Sequence, residues 1–162
     1  MTELQQVDDS LEDANADTEQ YLSFILNDEE YGVEILRVQE IKGWDIVTPI
    51  PNTPDYLCGV LNLRGTIVPV VNLRSRFEMP LKEFTPTTVV IVLKVEGATE
   101  RTVGIVVDAV SDAHNIVPSE IRMTPDFGSQ VDTGFIKGVV PINDEMMMIL
   151  NIDRLLSIEA LG

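Results

Sequence analysis

Arg64 stands directly before a glycine inside an apolar run, "GVLNLRGTIVPVVNLRSRF", residues 59–77. A guanidinium keeps its charge at any ordinary pH, so between apolar strands it needs a carboxylate partner, an outlet to solvent or a binding role. The other reactive side chains are few, for His114 is the only histidine and Cys58 the only cysteine. One histidine builds neither a paired-histidine metal site nor an ordinary Ser-His-Asp site with a spare base. One cysteine excludes an internal disulfide and a cysteine-based zinc cluster, and suits a reducing compartment as a small buried side chain. The acid runs Asp28-Glu29-Glu30 and Asp144-Glu145 are expected at solvated turns rather than as paired catalytic carboxylates. Met146-Met147-Met148 is expected to form a strand with core-facing methionine, in preference to an adaptable contact surface. The chain also lacks a Gly-rich phosphate loop, metal-ligand spacing and a nucleophile elbow, so these residues point to a binding module without a cofactor and not to an enzyme.

The elements that must hold such a module are legible as short runs rich in Val, Ile, Leu and Thr: YLSFIL, YGVEIL, GTIVPVV, TTVVIVLKV and RTVGIVVDAV. Asn27-Asp28-Glu29-Glu30 and Glu96-Gly97-Ala98-Thr99-Glu100 each separate two runs and predict two hairpins. Short helices are expected at Asn72–Phe77 and Asn151–Ile158, each opened by an asparagine able to cap its first turn. The 162 residues are 44% hydrophobic but only 6% aromatic, so aliphatic packing must carry the core. A net charge of -16 repels nucleic acid and anionic lipid. Residues 1–19 hold seven acids, no base and no apolar periodicity, and are expected to be a disordered acidic tail. That tail does not resemble a secretory signal, and no apolar run reaches the ~20 residues that span a bilayer, so a cytoplasmic protein is expected.

Self-comparison shows a duplication. Gly59-Val60-Leu61 reappears as Gly138-Val139-Val140 and Val71-Asn72-Leu73 as Leu150-Asn151-Ile152, both at an offset of 79. Thr53-Pro54-Asp55-Tyr56 matches Thr124-Pro125-Asp126-Phe127 at 71, and Gly32-Val33 matches Gly104-Ile105 at 72, with the order kept. Two copies of one unit of about five strands predict an all-β fold of two packed five-stranded β-barrels with a groove between them. The expected division is a tail at 1–19, a first barrel at approximately 20–85 and a second at 86–158.

"FILNDEEYGVEILRVQEI", "TPIPNTPDYLCGVLNLRGTIVPVVNLRSRF" and "VGIVVDAVSD" resemble the CheW-like domain family across residues 20–158. The resemblance implies an adaptor of two intertwined SH3-like barrels that links transmembrane chemoreceptors to the histidine kinase CheA and does no chemistry itself. It implies a protein that is a monomer alone, forms rings in arrays and is recruited to the inner membrane face. The family's groove for the receptor hairpin tip falls here on Val38, Glu40, Gly59, Arg64, Val89, Val103, Gly104 and Val110. Its kinase contacts fall on Ile46 and Val47 in one barrel and on Arg122 and Phe127 in the other. Because Arg64 and Glu40 both match the groove, Glu40 is the expected partner of a buried Arg64, with Glu34 second.

Overall fold

The structure is a computed structural model that describes residues 18–44, 47–97, 99–123 and 133–156. The acidic tail up to residue 17 lies outside them. Ten strands are described: β1 (Glu19–Leu26), β2 (Glu29–Glu34), β3 (Val38–Gly43), β4 (Leu57–Leu63), β5 (Thr66–Asn72), β6 (Val89–Val95), β7 (Arg101–Val107), β8 (Ala109–Ile116), β9 (Ile136–Ile142) and β10 (Glu145–Leu150). Two four-residue helices, α1 (Leu73–Arg76) and α2 (Ile152–Leu155), follow β5 and β10. The expected caps form: Asn72 and Asn151 accept from the N–H of Ser75 and Arg154 at 3.3 and 3.2 Å.

The all-β expectation holds, with the strands in two sheets ordered β8-β1-β2-β10-β9 and β3-β6-β7-β5-β4. The sheets do not follow the two sequence copies. β1 and β2 of the first copy pair with β8, β9 and β10 of the second, and β6 and β7 pair with β3, β4 and β5, so each sheet draws on both sides of residue 85. The two joints are parallel and equivalent, since Gly32 on β2 faces Ile149 on β10 and Gly104 on β7 faces Val70 on β5. The other pairings are antiparallel.

In each sheet the chain that leaves one edge strand returns to the opposite edge. Thr48, beyond β3, exchanges hydrogen bonds with Val60 of β4, both at 2.9 Å. Arg122, beyond β8, does the same with Val139 of β9 at 2.8 and 2.9 Å. Drawing the edges together leaves few unpaired backbone groups and explains why the strands read as continuous apolar runs instead of alternating ones. On β6, Ile91, Leu93 and Val95 enter the core shared by the two sheets, whereas Val90 and Val92 enter a cluster enclosed by the second sheet alone. Tyr21, Ile116, Val140, Met147 and Ile149 form the matching cluster of the first sheet. Phe24, Tyr31, Phe77 and Phe135 run through the shared core as a file of rings with centroids 5.8, 5.9 and 6.2 Å apart.

One ion pair fastens each helix to the other copy, with the charges exchanged between the two. Arg37, after β2, makes a two-pronged contact with Asp153 of α2 at 2.8 and 2.7 Å. Asp108, after β7, receives Arg74 of α1 at 3.0 and 2.6 Å. Burial would raise the Asp108 carboxyl, but the Arg74 hydrogen bond and the Asn27 N–H outweigh it and hold it below the usual carboxylate range. The hydrogen bond from Arg37 holds Asp153 below that range too, against the opposing effect of burial and with help from the Glu96 N–H.

Candidate protein-interaction site

Arg64 is not buried among the strands. It opens the two-residue turn between β4 and β5, where Arg64 and Gly65 have φ of 51° and 89°. Two left-handed residues in succession make the turn that matches strand twist, the geometry that usually selects Asn-Gly. The same geometry appears at Asn27-Asp28, with φ of 54° and 65°, and at Asn143-Asp144, with 47° and 67°. Arginine is a costlier choice there, because its Cβ crowds the backbone. Asn62 compensates by accepting from the Gly65 N–H at 2.7 Å.

The partner of Arg64 is Glu40, as expected, at 2.8 Å from Nη1 to Oε1, but the expected burial is corrected: the Arg64 side chain is 74% exposed and that of Glu40 26%. Glu34 is taken by Lys137 at 2.9 Å. Glu40 stands on β3 opposite Val92, so this surface pair spans from the β4–β5 tip to the other edge of the same sheet. An ion pair this open contributes at most about 1 kcal/mol.

The remaining groove residues fall into three kinds. Val38, Val89 and Val110 are half-buried and pack on the shared core, which leaves part of each open to a partner. Gly59 has φ of 148° and lies beneath the Thr48 bridge, where any side chain would run into the Thr48 carbonyl, so it shapes the surface through its backbone. Val103 is fully buried in the shared core, and a Cβ on Gly104 would lie 2.8 Å from a Val90 methyl. These last two can act only by setting the shape above them. Seven of the eight positions belong to the second sheet or its β4–β5 turn; Val110 comes from β8 in the first.

Of the kinase positions, Ile46 and Phe127 lie outside the described residues. Val47 is half-buried against the second sheet's own cluster, and Arg122 is exposed at the bridge to Val139. Val47 adjoins Thr48, so both sites sit on the two equivalent bridging segments. No motif pointed to Phe84, which lies outside any strand and packs against Trp44 with centroids 4.0 Å apart and the rings tilted by 39°. Burial pushes the Cys58 thiol up to about 11, which makes it an inert packing group.

Sequential acids and methionines divide differently from expectation. Asp28 and Asp144 are at turn tips, but Glu30 is turned inward with a side chain 11% exposed, 3.6 Å from His114. Strand alternation sends Met147 wholly into the core and leaves Met146 46% exposed, with Met148 between. The expected strand with a core-facing methionine is present, Met148 packs in part against the shared core, and Met146 alone of the three is well exposed.

Two interleaved sheets with open, charged and apolar surface features define an all-β interaction module. The chain belongs to the CheW-like domain family, whose model matches residues 20–160. It is 43% identical over 144 residues to the chemotaxis protein CheW of Klebsiella aerogenes, covering 89% of this chain and 85% of that one. To the CheW of Rhizobium meliloti it is 39% identical over 132 residues, with 82% and 83% covered. The crystal structure of the scaffolding protein TtCheW from Thermoanaerobacter tengcongensis superposes with a TM-score of 0.79 at 29% identity, over 88% of this chain and 90% of that one. No helix among the described residues is long and apolar enough to cross a membrane.

Proposed function

We propose that this chain is a non-enzymatic chemotaxis adaptor that couples transmembrane chemoreceptors to the histidine kinase CheA and so places kinase autophosphorylation under receptor control. The receptor's cytoplasmic hairpin tip docks on the face bearing Arg64 and Glu40, with Val38, Val89 and Val110 as apolar contacts and Gly59, Val103 and Gly104 shaping the surface. An amphipathic helix needs such a combination, apolar contacts for affinity and a charge at the margin for register. CheA, through its own CheW-like regulatory domain, meets the bridging segments at Val47 and Arg122, together with Ile46 and Phe127, which lie outside the described residues. Two equivalent segments on opposite sheets permit alternation of adaptor and kinase, in which repetition raises the effective concentration of each partner. Recruitment to the inner membrane face follows from the receptor.

The observation that carries this reading is the placement of Arg64: a strained turn position, exposed and paired on the surface, in a family of chemotaxis proteins. Receptor-containing membranes and CheA, with and without this chain, test it. Autophosphorylation that rises with the chain and falls on adding attractant is expected; equal attractant control in its absence would overturn the reading.

A further inference from the structure

A groove of about 670 Å³ opens at one end of the first sheet, between the β1–β2 turn, the segment after β8 and the start of β10. Its apolar lining is Val139 with Met123, Met146 and Met148, and Met123 is 91% exposed. Asp28, Glu29 and Glu145 stand around it with a single base, Arg122, while the inward-turned Glu30 forms part of its wall. Among the described ion pairs none includes Asp28, Glu29 or Glu145. The corresponding end of the second sheet lacks this pattern, since Thr66, Ile67 and Pro69 stand where Glu145, Met146 and Met148 do, and Thr48 and Pro49 replace Arg122 and Met123.

Methionines that line an open concavity are flexible, polarizable and able to repack around a guest. Glu29 and Glu145, exposed and in none of the described ion pairs, repel phosphate and anionic headgroups and favour lysine and arginine. We infer that this groove docks a protein segment that combines basic side chains for the rim with apolar anchors for the methionines. The inference rests on the proposed function, in which Arg122 faces the kinase, and it assigns the chemistry of that contact: the surface of the CheA regulatory domain that meets the first sheet is basic and apolar.

The test titrates the purified regulatory domain of CheA against the full chain and three variants: Glu29→Lys/Glu145→Lys, Met146→Asp and Met123→Ser. Each is read at 50 and 300 mM salt beside its melting curve. The wild type is expected to weaken roughly tenfold with salt, the double reversal to bind at least roughly tenfold more weakly at low salt with little remaining salt dependence, and both methionine variants to weaken at either salt. Melting temperatures should stay within a few degrees of wild type, because all four side chains are open. A double reversal that binds like the wild type or tighter, or methionine variants without effect, would overturn the groove while leaving the adaptor reading standing. A wild-type chain that does not bind the domain at all would overturn both.

Discussion

The two copies of the unit share one frame and differ at its surface. Asn72 and Asn151 cap equivalent helices, Thr48–Val60 and Arg122–Val139 draw equivalent edges together, and Gly104–Val70 and Gly32–Ile149 make equivalent parallel joints. Where the copies part company, exposed chemistry appears. The β4–β5 tip is Arg64-Gly65 whereas the β9–β10 tip is Asn143-Asp144, and the second sheet's Ile67 corresponds to Met146 at the mouth of an acid-rimmed groove. Duplicated positions maintain the fold, and the departures from symmetry give the two sheets different exposed chemistry.

The frame itself can be broken asymmetrically. Arg74–Asp108 and Arg37–Asp153 are equivalent pairs of opposite polarity, but the first is more enclosed, with side chains 10% and 23% exposed against 18% and 35%. Arg74→Met strands Asp108 and should cost about 3–5 kcal/mol in a denaturant titration. Arg37→Met leaves an Asp153 that can hydrate again, and should cost about 1 kcal/mol. Exchanging the charges, Arg74→Asp with Asp108→Arg, should recover part of the larger loss, and equal losses at the two pairs would contradict the asymmetry.

Acid sharpens the same comparison. Both aspartates are held below the usual carboxylate range in the folded protein, so the stability they contribute is fully present above the unfolded value, about 3.9. It is lost as pH falls through their lower folded values. Asp108→Asn should therefore lower the neutral-pH plateau and flatten the decline in stability below about pH 4. A decline unchanged by Asp108→Asn and by Asp153→Asn would locate the acid sensitivity elsewhere.

A smaller effect belongs to the second sheet alone. Phe84 packs at a tilt against Trp44, which in turn packs against that sheet's own cluster. Phe84→Ala should cost about 1 kcal/mol, since the ring is already 43% exposed. Indole fluorescence should move to the red as Trp44 gains water. A spectrum and midpoint identical to wild type would separate the two rings.

Much of this architecture was legible because it is written in local chemistry. The two asparagine caps follow from a side chain and an N–H three residues on, and Asn27-Asp28 is a turn by its own backbone preference. In the match Gly59/Gly138 a side chain is excluded by the backbone of Thr48 and of Arg122; in the match Gly32/Gly104 a Cβ would press on the flexible end of Met147 and on a Val90 methyl. Strand exchange between the copies has no such local signal, since β2 offers the same apolar pattern to β10 as to any strand of its own copy. The exposure of Arg64 is hidden for a related reason: an arginine in an apolar run suggests burial, and only the pairing register shows that Leu63 and Thr66 are opposite residues with a two-residue tip between them. Glu40 was found as its partner through family resemblance, not through pattern. The methionine groove was hidden because Met123 and Met146 are 23 residues apart in sequence and come together only through the Arg122–Val139 bridge.

The central claim, that Arg64 serves a partner and not the fold, has a direct measurement in Arg64→Asn. Asparagine tolerates the left-handed conformation and would create an Asn-Gly turn, so stability should stay level or rise by up to about 1 kcal/mol. Melting temperature, binding to the CheA regulatory domain and receptor-dependent kinase activation are read on the same preparation. The account predicts an unchanged or higher melting temperature, kinase binding like that of the wild type, and loss of receptor coupling. A variant that couples receptors normally, or one whose melting temperature falls together with every binding activity, would contradict it.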